Sequence, residues 1–301
     1  MKKIAVFFDH PEAKKYPFNK EEYWTSYQEL NQEIQNLGAQ LYIVRSQNTY
    51  LGNAKFSKSW QFENNDLIET GPIIVDVLYD KGGFTSDGKV ALSNTLEIDN
   101  ICTDKWKTYE LLEEFCPKTI VTHNDQEFES GLTAIETKKI VIKPLDQEEG
   151  HGVYIGDIEY IKSSPKEYPL LIQEFLDSSA GMPGFVDGIH DFRVALMNGE
   201  IVYSFVRTPP PGELLANIAR GGTSQVIPEP NIPQEAKDLV FKIDEKMAKF
   251  GNRFYGVDMA FTPQGLRIIE LNSKLGLHEN NRHPIFIEFK KKLAKYLVNL
   301  T

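Results

Sequence analysis

Residues 254–272 read Phe254-Tyr255-Gly256-Val257-Asp258-Met259-Ala260-Phe261, then Thr262-Pro263-Gln264-Gly265, then Leu266-Arg267-Ile268-Ile269-Glu270-Leu271-Asn272. Two apolar-rich runs flank a turn containing proline and glycine, which is the pattern of a β-hairpin. A hairpin centred on Gln264 sets Asp258 opposite Glu270. Asn272 then shares a face with Glu270 by the two-residue strand period. Val257, Met259, Phe261, Ile269 and Leu271 take the other face. Two opposed carboxylates in a sheet repel each other, and burial raises the cost. A divalent cation removes both penalties, and hard oxygen donors suit Mg²⁺. The competing reading of the same geometry is a solvated face that carries acids.

Outward from this hairpin, residues 192–197 and 201–206 alternate around the turn Asn198-Gly199 and form a second expected hairpin. A helix is expected over about 234–250, ended by Gly251, and a basic amphipathic helix over about 284–299. Upstream, Asp104 caps a helix over 105–115 that stops before Pro117. Residues 140–143 and 170–175 are short apolar strands, the first stopped by Pro144. Between them lies the polar loop Asp146-Gln147-Glu148-Glu149-Gly150-His151-Gly152. Earlier still, residues 2–8, 41–44 and 73–79 are strands, with a helix over 20–37 closed by Gly38. Strand, helix and strand again indicate a small open α/β domain with a parallel core. The expected boundaries lie near 98 and 176, dividing the chain into 1–98, 99–176 and 177–301.

Composition bounds the function. Lysine and arginine number 33 against 43 aspartate and glutamate, a formal charge of −10 over 301 residues, which argues against a basic nucleic-acid or anionic-membrane binder. The two cysteines, Cys102 and Cys116, cannot make a disulfide framework and read as reduced thiols of a cytoplasmic protein. The first apolar run ends at Asp9, too short for a signal peptide, and no run approaches a membrane span. A Gly-x-Ser-x-Gly elbow, a Walker A loop and His-Glu-x-x-His are all missing.

The segment Gly256-Val257-Asp258-Met259 with Ile269-Glu270-Leu271-Asn272 resembles the metal-binding end of ATP-grasp ligases. Other segments agree in order. Asp104-Lys105-Trp106-Lys107-Thr108 and Val141-Ile142-Lys143-Pro144 resemble the two nucleotide-contacting lysine segments. Leu171-Ile172-Gln173-Glu174-Phe175-Leu176 resembles the hinge that pairs with adenine. His190-Asp191-Phe192-Arg193-Val194 resembles the arginine-bearing strand. Arg207 and Asn217-Ile218-Ala219-Arg220-Gly221-Gly222 resemble the stretch found in the glutathione synthetase-like and RimK-like branch. The likeness covers roughly residues 100–275.

This resemblance implies an α/β (α+β) ATP-grasp fold, two α+β subdomains clasping ATP, preceded by the small parallel-sheet domain. It implies ATP contacts from Lys105, Lys143, Gly150, Gly152, Glu174, Phe175, Leu176, Asp177 and Asn217. It also implies stabilisation of an acyl-phosphate or tetrahedral intermediate by Arg193, Arg207 and Arg220, and Mg²⁺ held by Asp258, Glu270 and Asn272, two ions with Mn²⁺ as an alternative. The implied activity is ATP-dependent carboxylate–amine ligation through an acyl phosphate, releasing ADP and phosphate. An ATP-binding protein without ligase chemistry and a phosphotransferase are the alternatives. The implied partners are ATP, a carboxylate and an amine, the last an amino acid, peptide or protein tail, with no nucleic acid and no membrane. Self-association is left open. Relatives often carry arginine where Leu215 stands, and losing that cation argues against an acidic substrate. The segment 178–188 lengthens the link before Arg193, either as a structural loop or as part of an acceptor pocket.

Overall fold

The apolar run at the start of the chain becomes strand β1, Lys3–Phe8, with Ile4 through Phe7 fully buried. The computed structural model describes residues 1–11, 16–147, 151–216, 221–277 and 283–301. Helix α1 (Glu21–Asn36) follows, burying Tyr23, Tyr27, Leu30 and Ile34 at the spacing expected of one helical face. Strands β2 (Gln40–Arg45), β3 (Lys55–Phe56), β4 (Trp60–Glu63), β5 (Asp66–Glu69), β6 (Ile73–Ile74), β7 (Val77–Asp80) and β8 (Ala91–Leu92) complete the first unit's strands. The main sheet runs β5-β4-β2-β1-β7-β8. Its β2-β1-β7-β8 portion is parallel, as expected, and the β4–β5 hairpin extends it antiparallel. That hairpin turns on Asn64-Asn65, both with positive φ (48° and 61°), a signal the sequence carried unread.

The single strand expected over 73–79 is split. Ile73–Ile74 pairs with β3 instead of β1. Val75 still donates to the Ala54 carbonyl, whereas Asp76 donates its N–H to the Lys3 carbonyl and accepts from Lys3 N–H at 2.7 Å. The ladder therefore changes partner between these two residues.

The second unit covers residues 96–273. It opens with helices α2 (Leu96–Thr103) and α3 (Lys105–Leu112); the Asp104 side chain caps α3 by accepting from Trp106 and Lys107 N–H. Strand β9 (Thr119–Thr122), helix α4 (Asp125–Ala134), strands β10 (Ile140–Pro144) and β11 (Tyr154–Gly156), helix α5 (Ile158–Ser163) and strand β12 (Leu170–Glu174) follow. Their antiparallel sheet runs β11-β10-β12-β9. Strands β13 (Asp191–Met197), β14 (Glu200–Thr208) and β15 (Thr223–Val226), helix α6 (Gln234–Ala248), and strands β16 (Phe254–Thr262) and β17 (Gly265–Asn272) form the rest. The second antiparallel sheet runs β15-β14-β13-β16-β17.

One face of this second sheet is apolar and one is polar. Phe192, Val194, Leu196, Val257, Met259, Ile268 and Leu271 pack with Leu239, Val240, Ile243 and Met247 of α6. Ile98, Ile101, Cys102 and Leu112 of α2 and α3 join the same core. Residues 99–115, expected with the 99–176 subdomain, therefore pack under the later sheet, because α2 presents an apolar stripe that needs that cover.

Helix α7, Pro284–Asn299, was expected to end the 177–301 subdomain. It belongs instead to the first unit, which comprises residues 1–95 and 274–301. It packs on α1, where Lys290 pairs with Glu29. Among the described residues, no helix is long and apolar enough to cross a membrane.

Candidate functional site

The turn of the deciding hairpin consists of Pro263-Gln264 alone, with Thr262 paired to Gly265. Uninterrupted pairing from that turn would set Asp258 against Ile269. A bulge intervenes: Met259 pairs with Ile268 and Asp258 with Glu270, leaving Ile269 as the extra residue. The expected opposition of the two acids is present, then, but through a tighter turn plus a bulge. The expectation for Ile269 fails for the same reason. Ile268 takes the core position, and Ile269 is half-buried outside it.

Asp258 is fully buried on the polar face. Arg193 is its direct cross-strand partner on β13 and donates Nε–H to Oδ1 at 2.5 Å and Nη2–H to Oδ2. Arg207 donates Nη2–H to the same Oδ2 at 2.8 Å and also to Asp191 Oδ2. Alternation explains the gathering. Asp191 and Arg193 are two residues apart on β13, and Asp191 faces Arg207 across β13 and β14. Both guanidinium groups lie over the Phe205 ring, at 5.8 and 5.6 Å from its centroid.

Burial drives the carboxyls of this cluster up, and the arginines oppose it. For Asp258 burial is outweighed by Arg193 and Arg207, which hold it below the ordinary carboxylate value. For Asp191 burial prevails despite Arg207, and with the charges of Asp258 and Glu270 it pushes the carboxyl up to about 7. Asp191 Oδ1 and Arg207 Nε are buried with no hydrogen-bond partner. An unmet group of this kind costs about 1–3 kcal/mol.

Lys143 enters from the other sheet of the same unit. Ile140 and Ile142 face that sheet's core, so alternation turns Lys143 to the opposite face. Its ammonium donates to Gln173 Oε1 at 2.9 Å and approaches the carbonyl of the bulged Ile269 at 3.5 Å. Gln173 is held in turn by donating to Thr119 Oγ1 at 2.7 Å. Burial lowers Lys143 to about 8, although the charge of Glu270 works to raise it. Lys105, the first residue of α3, donates its ammonium to the Gln147 carbonyl at 2.6 Å, at the root of the loop 146–152. Gly152 in that loop has φ +68°, and a Cβ there would lie 2.8 Å from Pro144 Cγ.

At the expected hinge, Glu174 Oε2 accepts from Lys118 N–H at 3.3 Å and Phe175 N–H points to Thr137 Oγ1 at 3.4 Å. Lys139 lies over the Phe175 ring. Leu176 is half-buried and Asp177 exposed, the latter held below its ordinary value by its hydrogen bonds to Ser179. The structure thus groups Lys143, Arg193, Arg207, Asp258 and Glu270, and sets the hinge and Lys105 at the end and root of neighbouring elements. Gly150, Asn217 and Arg220 lie outside the described residues.

Sequence reasoning missed Asp191 and Gln173 as members of the site. Asp191 could have been found from the strand period, since it lies two residues before Arg193. The 178–188 segment is anchored at its base. Ser178 Oγ accepts from His190 N–H at 3.1 Å, His190 Nε2 accepts from Phe261 N–H at 3.1 Å, and Met182 is buried in the sheet core.

The fit of Mg²⁺ rests on donor chemistry. Glu270 accepts no hydrogen bond from the described residues, and Asn272 pairs with Gly256 at the end of the same strand. Asp258 Oδ1 accepts from Arg193 Nε, which leaves it a further lone pair. These are hard oxygen donors, and they fit the ion. Among the described residues, no group of three or more His, Cys, Asp or Glu is arranged to hold a metal by itself. Asn272, the third expected ligand, follows Glu270 by two residues on β17.

Residues 102–297 match the model of the RimK-like ATP-grasp domain. A probable alpha-L-glutamate ligase of Shewanella pealeana is 30% identical over 144 residues, 46% of this chain and 28% of that protein. The chain therefore aligns with under a third of that relative's length. A protein of the same name from Aeromonas salmonicida is 24% identical over 265 residues, 82% of this chain and 84% of its own. Among solved structures, an ATP-grasp ligase associated with ribosomal peptides from Chryseobacterium gregarium, in complex with ADP and a leader and core peptide, superposes with a TM-score of 0.62. It is 12% identical, covering 99% of this chain and 97% of its own, and so supports the fold alone.

Proposed function

Since this chain belongs to the RimK-like ATP-grasp family, we propose that it is an ATP-dependent ligase joining a carboxylate to an amine. The observation that carries the reading is the charged row on the polar face. Arg207, Arg193, Asp258 and Glu270 cross four strands, and Lys143 reaches the same strand end as Glu270. Three bases, Lys143, Arg193 and Arg207, balance three acids, Asp191, Asp258 and Glu270. A triphosphate adds about four negative charges to this neutral set, so it must bring its own cations. That supports two divalent ions, Mg²⁺ with Mn²⁺ as the alternative, at Asp258, Glu270 and Asn272.

Bound Mg²⁺ would neutralise phosphate oxygens. Lys143 holds a phosphate oxygen, and the Lys105 tether positions the loop 146–152, which excludes water from the reacting carboxyl. A substrate carboxylate oxygen bonds to the γ-phosphorus as the bond from that phosphorus to ADP breaks. Arg193 stabilises the charge that develops. The amine nitrogen then bonds to the acyl carbon, phosphate leaves, and the nitrogen loses its surplus proton to solvent. Glu174, Phe175 and Leu176 hold the adenine, with Asp177 at the ribose. Asn217, Arg220 and Gly150 complete the phosphate and acyl contacts in this reading. The free thiols Cys102 and Cys116 support a cytoplasmic setting.

A screen of amino-acid pairs with phosphate release as readout tests the proposal. Glutamate heads the panel because the curated relatives carry its name. Uncharged amino acids and peptides follow, because Leu215 removes a cation that would pair with an acidic side chain. ADP formation that needs both an acid and an amine is expected. ADP formation with one substrate and a stable phosphorylated product would make the protein a phosphotransferase. Tight ATP binding without any turnover would make it a binding protein.

A further inference from the structure

Three polar side chains cross neighbouring strands of the β11-β10-β12-β9 sheet, on the face turned away from its apolar core. Thr119 on β9 is the direct partner of Gln173 on β12. Gln173 is the direct partner of Val141 on β10, and Lys143 lies two residues beyond Val141 on the same face. Long side chains span such a diagonal. Thr119, Gln173 and Lys143 are all buried, at 4%, 8% and 7% exposure. The hydrogen bonds along this row have a fixed direction. The Pro117 carbonyl can only accept, so Thr119 Oγ1 directs its one proton there, at 2.9 Å. Oγ1 must then accept from Gln173 Nε2, at 2.7 Å, which turns Gln173 Oε1 toward the Lys143 ammonium at 2.9 Å.

Burying an amide is costly unless its polar atoms are used. Packing alone would favour an apolar side chain of similar length, such as methionine. That side chain would leave Lys143 with the Ile269 carbonyl, at the longer distance of 3.5 Å. A carboxylate in place of the amide would hold the ammonium more firmly. It would also cancel the lysine's charge and repel a phosphate, and the charge of Glu270 already reaches this lysine. The amide does neither. It takes one of the three ammonium N–H groups and adds no charge. We propose that Gln173, anchored by Thr119, is a positioning residue for the triphosphate: as a neutral acceptor it aims Lys143 while leaving the lysine's charge and a donor N–H for a phosphate oxygen. This rests on the ATP-binding part of the ligase reading and on no later step of it. Gln173 immediately precedes Glu174 and Phe175, so one strand end serves the adenine side directly and the phosphate side through the amide.

Affinities for MgATP and adenosine, read by displacement of a fluorescent ADP analogue from the full chain, test this role. Gln173→Met is expected to weaken MgATP about tenfold or more, as loss of a hydrogen bond to a charged group implies, and to leave adenosine, which has no phosphate, unchanged. The loss should vanish when Lys143 is already replaced by methionine, because the amide acts through that lysine. Gln173→Glu should also weaken MgATP, although it is isosteric and pairs with Lys143. Thr119→Val leaves Nε2 unmet and frees the amide to turn, so it should reproduce part of the MgATP loss. Equal losses for MgATP and adenosine would mean that Gln173 merely shapes the hinge strand, and would overturn the proposal. So would a MgATP loss undiminished in the Lys143→Met background, or wild-type MgATP affinity in Gln173→Glu or Thr119→Val. If Gln173→Met does not fold, Gln173→Glu and Thr119→Val decide by the same comparison. Wild type that binds neither MgATP nor the ADP analogue overturns the nucleotide reading and this role with it, whereas MgATP binding without turnover overturns the ligase reading alone.

Discussion

Asp258 faces Glu270 across β16 and β17 because Ile269 is extruded as a bulge between two ladder segments. The same extrusion turns the Ile269 carbonyl toward Lys143. One extra residue therefore sets both the acid pair and the approach of a buried lysine. Bulges next to active sites commonly re-aim side chains in this way.

Asp258→Asn keeps the size of the side chain and removes the charge on which two arginines converge. Breaking a buried ion pair costs about 3–5 kcal/mol, so the thermal midpoint should fall by several degrees. Turnover should fall by about 10²-fold or more, since Arg193 and Arg207 lose their aim. Unchanged ADP release in this variant would show that neither the metal nor the arginine role of Asp258 matters.

Glu270→Gln should separate the metal from the scaffold. Glu270 is only half-buried and accepts no hydrogen bond from the described residues, so the fold should tolerate the amide. The Mg²⁺ concentration for half-maximal ADP formation should rise about tenfold or more, with a thermal midpoint near wild type. A Mg²⁺ titration at saturating ATP gives the answer.

Lys143 predicts two opposite pH trends. Burial, partly offset by Glu270, sets its folded-state value at about 8 against 10.5 for the free group. Between those values the unfolded chain binds more protons, so this group's contribution to stability rises with pH, by about 3 kcal/mol over the window. Nucleotide affinity should do the reverse and weaken as pH rises through about 8, because the triphosphate prefers the ammonium. Calorimetric ATP titrations and denaturation midpoints from pH 7 to 10 would show both. Lys143→Met should flatten each profile, and a pH-independent wild type would refute the assignment.

Gly152→Ala should damage the loop without unfolding the protein. The residue has φ +68°, and its new Cβ would press on the Pro144 ring, which cannot swing aside. We expect KM for ATP to rise several-fold, with the circular-dichroism spectrum unchanged. A wild-type KM would mean that the loop does not contact the nucleotide.

Removing residues 284–301 should unfold the first unit, although α7 closes the chain far in sequence from β1. Lys290 is almost fully buried on α7 against Glu29, and Phe286, Phe289, Leu293 and Leu297 are buried as well. Limited proteolysis should show residues 1–95 cleaved rapidly in the truncated protein. If they stay protected, α7 is dispensable for that unit.

Much of this was written in local pattern. Ile140-Val141-Ile142-Lys143 alternates, so one lysine had to leave the apolar face. Asp191-Phe192-Arg193-Val194 alternates likewise, so aspartate and arginine had to share the polar face. Asn198-Gly199 marked its hairpin, and Asp104 its helix cap. The break between Ile74 and Val77 left no such mark, since apolar residues run on both sides of it and only the change of hydrogen-bond partner divides them.

The sequence alone determined which residue types alternate, where helices and turns begin, and that acids and an amide crowd one strand face. These follow from backbone preferences and side-chain periods acting over a few residues. The tertiary structure decided that Asp258 is clasped by two arginines, that Gln173 holds Lys143, that Ile269 and not Ile268 is extruded, and that α2, α3 and α7 bury against sheets distant in sequence. Those outcomes depend on ladder register and on which apolar surfaces compete for cover, and both are set by contacts between segments tens to hundreds of residues apart.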